Sequence, residues 1–110
     1  MDFVFLEGYS HGDRAITLEI LVDFLETSRI DMAALRPAAD RGDLADVARG
    51  AHRLKGASGM VGARPLADLA GILEFHAKAG EGHQAAGALT AVESAFAHLD
   101  HFVIQEIEKG

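Results

Sequence analysis

With 110 residues, about half of them apolar, the chain is long enough for one domain with a real core and too short for two. It has no cysteine, which excludes disulfides, thiolate chemistry and cysteine-based metal sites and fits a reducing, cytoplasmic setting. Seventeen acidic against ten basic side chains give a net charge of −7, which argues against general nucleic-acid binding and makes any local cluster of positive charge conspicuous.

Ala and Leu dominate, β-branched residues are sparse and Pro occurs twice, so the composition is helical. The N-terminus has an apolar patch of only four residues and no basic lead-in, which reads as neither a signal peptide nor a membrane span. Phe3 to Leu6 are expected to form a short helical turn over one end of the core. Ser10 to Asp13 offer capping residues for a long helix over about 13–40, with Ile16, Ile20, Phe24, Ser28, Leu35 and Ala39 at helical spacing. Pro37 must end or kink that helix. Arg41-Gly42-Asp43 is a tight link with Asp43 as an N-cap.

A second long helix is expected over about 44–60, with an apolar stripe of Leu44, Val47, Ala51, Leu54, Ser58 and Val61. Gly62 to Pro65 break the chain, and Pro65 suits the first turn of a third helix carrying Leu66, Leu69, Leu73 and Ala77 on one face. Gly80-Glu81-Gly82 ends it. The last helix starts near 84, and Leu89, Val92, Phe96, Leu99 and Val103 form its seam. Four amphipathic helices with short links predict an all-α fold, an antiparallel up-down-up-down four-helix bundle with a short extra N-terminal helix, over a single domain of residues 1–110.

The second of these helices carries the most unusual stretch, Ala48-Arg49-Gly50-Ala51-His52-Arg53-Leu54-Lys55-Gly56-Ala57-Ser58-Gly59. Positions three, four and seven apart share a helix face, so His52, Lys55, Gly56 and Gly59 point broadly the same way. With Leu44 at zero, the apolar stripe centres near about 310° and His52 falls near about 80°, off the core. Ala45, Ala48, Gly56 and Gly59 share its direction, and all are small. Lys55 lies between this patch and the stripe, and Arg49 lies on the opposite flank. Interior glycine costs about 0.5–1 kcal/mol relative to alanine. Gly56 and Gly59, with Gly50 nearby, therefore need a reason. Close packing of a neighbouring helix is one. Clearance for something approaching His52 is the other, and the shared direction favours it.

Imidazole is a nucleophile near neutral pH. Phosphoryl transfer to it needs an in-line approach, little crowding and positive charge near the equatorial oxygens. The small neighbours give room, Lys55 gives a mobile cation, and Arg49 and Arg53 add attraction for an acidic or phosphorylated partner. His98 and His101 stand three apart on the last helix, but no Glu-x-x-His pair and no third ligand accompany them, so no metal site is expected. They are expected on the surface, as are His11, His76 and His83 at or near helix ends. No Walker loop is present for ATP binding by that route.

Ala51-His52-Arg53-Leu54-Lys55-Gly56 followed by Gly62-Ala63 closely resembles the signature of histidine-containing phosphotransfer (Hpt) domains, and the likeness extends to helix number, helix lengths and the Leu66-Ala67-Asp68-Leu69-Ala70 run. The family's His-x-x-Lys-Gly core implies that His52 is the phosphoacceptor, that Lys55 stabilises the phosphoryl oxygens and that Gly56 leaves room for a receiver domain. Family members often place a Gln or Glu from the next helix against the imidazole, and Glu74 matches that position. Its implied role is to accept a hydrogen bond from Nδ1 and leave Nε2 free; an exposed helix glutamate is the alternative. Many members have Ser after the motif glycine and Asn near position 60, where this chain has Ala57 and Met60, and Met60 offers a partner apolar contact instead.

The resemblance implies a phosphocarrier rather than an autonomous enzyme. It implies no cofactor of its own, Mg²⁺ in the partner receiver, and receiver domains and a hybrid histidine kinase as partners. A cytoplasmic monomer with no nucleic-acid or membrane partner is expected. A non-catalytic helical adaptor or dimerisation module, and the substrate domain of a chemotaxis-type kinase, are the rival readings. The expected docking face is Ala45, Ala48, Gly56 and Gly59, ringed by Arg49, Arg53 and Lys55.

Overall fold

The computed structural model describes residues 13–109, and the expected turn at Phe3 to Leu6 and His11 lie outside them. Four helices make up the fold: α1 (Arg14–Asp40), α2 (Leu44–Met60), α3 (Arg64–Lys78) and α4 (Gly82–Glu108). No strand occurs among the described residues. Each helix packs on its neighbour in sequence, and α1 also packs on α4, so the four enclose one core.

The starts and stops follow local chemistry. Asp13 caps α1 by accepting from the N–H groups of Ala15 and Ile16, and Asp43 caps α2 by accepting from that of Asp46. Pro37 does not end α1. Its ring removes one N–H, yet the helix runs on to Asp40, and the Pro37 carbonyl still accepts from Arg41. The α2–α3 link closes on Gly62, whose φ of 73° puts it in the left-handed region that side chains disfavour. There the N–H of Gly62 bonds the Gly59 carbonyl and that of Ala63 bonds the Ser58 carbonyl, which stops α2 within two residues. The links at Gly42 and Gly80 close in the same pattern.

The core is built from Leu21, Leu25, Leu35, Val47, Leu54, Leu73, Leu89 and Val92, all at most 2 % exposed, with Phe24 and Phe96 beside them. The expected seam of α4 is buried throughout. The stripe on α1 is turned slightly from its expected place. Thr17, Leu21, Leu25 and Ala38 are buried with Phe24, Ser28 and Leu35, whereas Ile16 is 43 % exposed and Ile20 and Ala39 are half-buried. On α2, Leu44 is half-buried and Ala48 is buried. Across the bundle, Arg14 pairs with Glu106, Arg29 with Asp100 at 2.5 Å, Arg36 with Glu93 at 2.5 Å and Arg53 with Asp31 at 2.9 Å.

The glycines of α2 divide into two kinds. A Cβ on buried Gly50 would stand 2.9 Å from Leu35 Cδ2, so this glycine serves the close approach of α1 and α2 and not a clearing around His52. A Cβ on Gly56 or Gly59 would meet nothing within 4 Å, so no helix packs on either. Gly56→Ala and Gly59→Ala are each expected to stabilise the fold by about 0.5–1 kcal/mol through helix propensity. Gly50→Ala should lose that gain to overpacking against Leu35. Thermal unfolding followed by circular dichroism checks the contrast; equal shifts for all three would contradict it.

Candidate functional site

His52 sits halfway along α2, with its side chain 68 % exposed. Ala51 and Leu54 on either side of it are fully buried, and they anchor α2 so that residue 52 must face out. The neighbouring helix α3 supplies Glu74, which is only 6 % exposed. Leu73 beside it is fully buried and Ala77 nearly so, which sets Glu74 at the margin of the core, where its carboxylate reaches α2.

Three donors converge on that carboxylate. Nδ1 of His52 lies 2.9 Å from Oε2, Nζ of Lys78 lies 2.9 Å from the same oxygen, and Nζ of Lys55 lies 3.3 Å from Oε1. A nearly buried carboxylate needs such partners, because leaving it without them would cost far more than the contacts return. The Glu74 carboxyl is held below the usual carboxylate range, first by the hydrogen bond from Lys78. Burial pushes the other way, and the bonds from Lys55 and His52 add to that from Lys78, so the net shift is downward. An ionised carboxylate only accepts, so Nδ1 of His52 carries the proton and donates it. That leaves Nε2 on the far side of the ring with a free lone pair.

A hollow of about 620 Å³ opens beside the imidazole, lined by Ala45, Ala48, Arg49, His52, Arg53, Glu74, Ala77 and Lys78. Ala45 is exposed at its mouth, whereas Ala48, 7 % exposed, belongs to the core as well as to the wall. Gly56 and Gly59 lie outside the hollow, further along the exposed face of α2, and Met60 beyond them is 79 % exposed. Arg49 and Arg53 line the hollow, but each already has a carboxylate: Asp46 at 3.1 Å and Asp31 at 2.9 Å. The ring of positive charge expected from the sequence is thus partly neutralised. Lys78, one turn after Glu74, is the cation that sequence reasoning missed. The Glu74–Lys78 spacing of four on one helix was the available signal.

His76 also departs from expectation. It is half-buried, and its Nδ1 lies 2.8 Å from Glu81 Oε1 across the α3–α4 turn. His83, His98 and His101 are exposed as expected. Among the described residues no three His, Asp or Glu side chains are grouped to hold a metal ion, and no helix is long and apolar enough to cross a membrane.

A family model described as the Hpt domain matches residues 19–102, which takes in most of α1, all of α2 and α3 and most of α4. The chain belongs to the Hpt family. No curated protein and no solved structure matches it. Hpt domains are helical bundles that serve histidine phosphotransfer in phosphorelays and interact there with receiver domains and kinases. Within this Hpt domain, the one histidine that is exposed, oriented by a near-buried carboxylate and open to a hollow on its flank is His52 among the described residues.

Because the Glu74 carboxyl is depressed in the folded state, its contribution to stability is present above the unfolded carboxyl range and is lost as pH falls through the folded value. Lys78→Met is expected to move the Glu74 titration up towards the ordinary glutamate value of 4.5. The stability difference between the two proteins should be present at neutral pH and fade as acid protonates Glu74. Carbon-detected NMR of the Glu74 carboxyl and acid unfolding check this; an unmoved titration would show that Lys78 does not govern it.

Proposed function

We propose that this Hpt domain is a phosphocarrier in which Nε2 of His52 accepts a phosphoryl group from a receiver aspartate, or from a hybrid kinase, and passes it to a second receiver. The observation that carries this reading is the bond from His52 Nδ1 to Glu74, which aims the free lone pair of Nε2 at solvent. Nε2 attacks phosphorus in line, the phosphorus–oxygen bond to the donor aspartate breaks, and the carboxylate leaves with the electron pair. The Nδ1 proton stays where it is. The phosphorylated ring then carries positive charge, and Glu74 lies against it to balance that charge.

Lys55 has a second task in the same step. Its Nζ rests on Glu74 Oε1 while its side chain is 48 % exposed, so a modest swing takes it to the incoming phosphoryl oxygens. Lys78 keeps Oε2 paired when Lys55 leaves, which spares Glu74 an uncompensated charge. The approaching receiver would slide over Ala45, Gly56 and Gly59, where no side chain extends beyond Cβ, and meet exposed Met60 at the edge. Mg²⁺ is expected in the receiver, with this chain supplying none. Transfer to the second receiver is the same reaction reversed, with the new aspartate taking phosphorus from Nε2.

The remaining parts of the reading concern the frame and its setting. An up-down-up-down course is supported by the cross-helix pairs, whose numbers fall on one helix as they rise on the other: Arg29 with Asp100 and Arg36 with Glu93, Asp31 with Arg53 and Leu35 with Gly50. A cytoplasmic monomer is part of the same reading, and the absence of cysteine fits a reducing compartment. Glutamate at 74 in place of glutamine also fits the phosphotransfer domain of a chemotaxis-type kinase, in which an ATP-binding partner would be the donor.

Incubation with a phosphorylated receiver, or with an active hybrid kinase, should give an acid-labile, base-stable phosphate on the protein. His52→Ala should abolish it, and Glu74→Ala should slow transfer by about 10²-fold while the bundle stays folded. Label retained in His52→Ala would sink the proposal, and no label from any receiver or kinase donor would leave the chain a non-catalytic adaptor. Label from a chemotaxis-type kinase alone would select the second donor class.

A further inference from the structure

Gly71 lies inside α3, one turn before Glu74, where glycine weakens the helix relative to alanine. Nothing in its backbone asks for glycine, since the positive φ values among the described residues belong to Gly42, Gly62 and Gly80. Nor does a neighbouring helix pack its backbone there. A Cβ at position 71 would meet one atom within 4 Å, Cδ of Lys55, at 3.3 Å. What the missing side chain makes room for is therefore the stem of Lys55, crossing from α2 to α3.

That crossing matters for where the ammonium ends. Lys55 and His52 stand three apart on α2, and their nitrogens reach the two different oxygens of one carboxylate, Oε1 and Oε2 of Glu74. A lysine stem is rich in rotamers, and an exposed one samples solvent freely unless something gives it a track. Methylenes laid along a bare strip of helix keep their contact while the charged end stays at the edge.

We propose that Gly71 is a positioning residue for the transfer reaction: it keeps a bare strip on α3 along which Lys55 lies, and this holds Nζ beside the imidazole. The inference rests on the phosphocarrier reading for its effect on rate, and on the geometry alone for its effect on Lys55. The steric demand is graded. Alanine places its Cβ at a distance the flexible stem can accommodate by giving a few tenths of an ångström. Leucine extends further carbons into the volume that Cδ and Cε occupy, so the stem must lift away from α3 and carry Nζ off Glu74.

The test is a double-mutant cycle on the full chain with a phosphorylated receiver as donor. Gly71→Ala should transfer within about twofold of the parent and melt higher. Gly71→Leu should slow transfer by about tenfold, the size expected when a charge-assisted contact is lost in the transition state. In a Lys55→Met background, Gly71→Leu should slow it no further. An equal loss in both backgrounds, or parent-like transfer by Gly71→Leu, would overturn the proposal. NMR of the Lys55 side chain gives a readout independent of transfer: in Gly71→Leu the Cε and Nζ signals should move to those of a free lysine. Unmoved signals would overturn the positioning itself. If the parent protein takes no phosphate at all, the carrier reading fails, and the NMR comparison still decides whether Gly71 guides Lys55.

Discussion

The site depends on one constraint, a glutamate side chain set at the margin of the core with its carboxylate almost out of water. Glu74 cannot be left alone there, so it gathers His52 and Lys55 from α2 and Lys78 from its own helix. The same contacts tie α2 to α3, fix the imidazole against rotation and decide which ring nitrogen faces solvent. Packing and chemistry are thus one arrangement. Leu73 and Ala77 set the depth of Glu74, and the depth makes the hydrogen bonds obligatory.

Around this anchor, small residues perform separate tasks that look alike in sequence. Gly62 turns the chain, and Gly50 lets α1 approach α2. Gly56 and Gly59 leave the face beside His52 bare, and Gly71 leaves a strip of α3 to Lys55. The helices therefore give up intrinsic propensity at five interior positions, 50, 56, 59, 71 and 87, and recover stability from a continuous leucine- and valine-rich core.

Much of this was legible in the chain because helical periodicity is strong in it. Asp43 as a cap, Pro65 in the first turn of α3, the buried seam of α4 and the outward direction of His52 all follow from spacing and local chemistry. The stripe on α1 was less legible. Thr17 and Ser28 are polar yet buried, while Ile16 is apolar yet exposed, so hydropathy alone misplaces the centre of the face. Pro37 was expected to break or bend α1, but a proline three residues from a helix end forfeits only a bond near the end. The pairing of Arg49 with Asp46 and of Arg53 with Asp31 lowered the free positive charge, and only the second of these depends on how helices meet. Lys78 had a one-turn signal. Gly71 had none, because its partner comes from another helix.

The central claim is that Glu74 fixes the His52 ring with its proton on Nδ1, so that chemistry falls to Nε2. Nitrogen NMR of the His52 ring in the unphosphorylated protein, with the imidazole neutral, tests it directly. The account predicts a single tautomer with the proton on Nδ1 and an unprotonated Nε2, lost on Glu74→Ala. A proton on Nε2, or the same mixture of tautomers with and without Glu74, would contradict it.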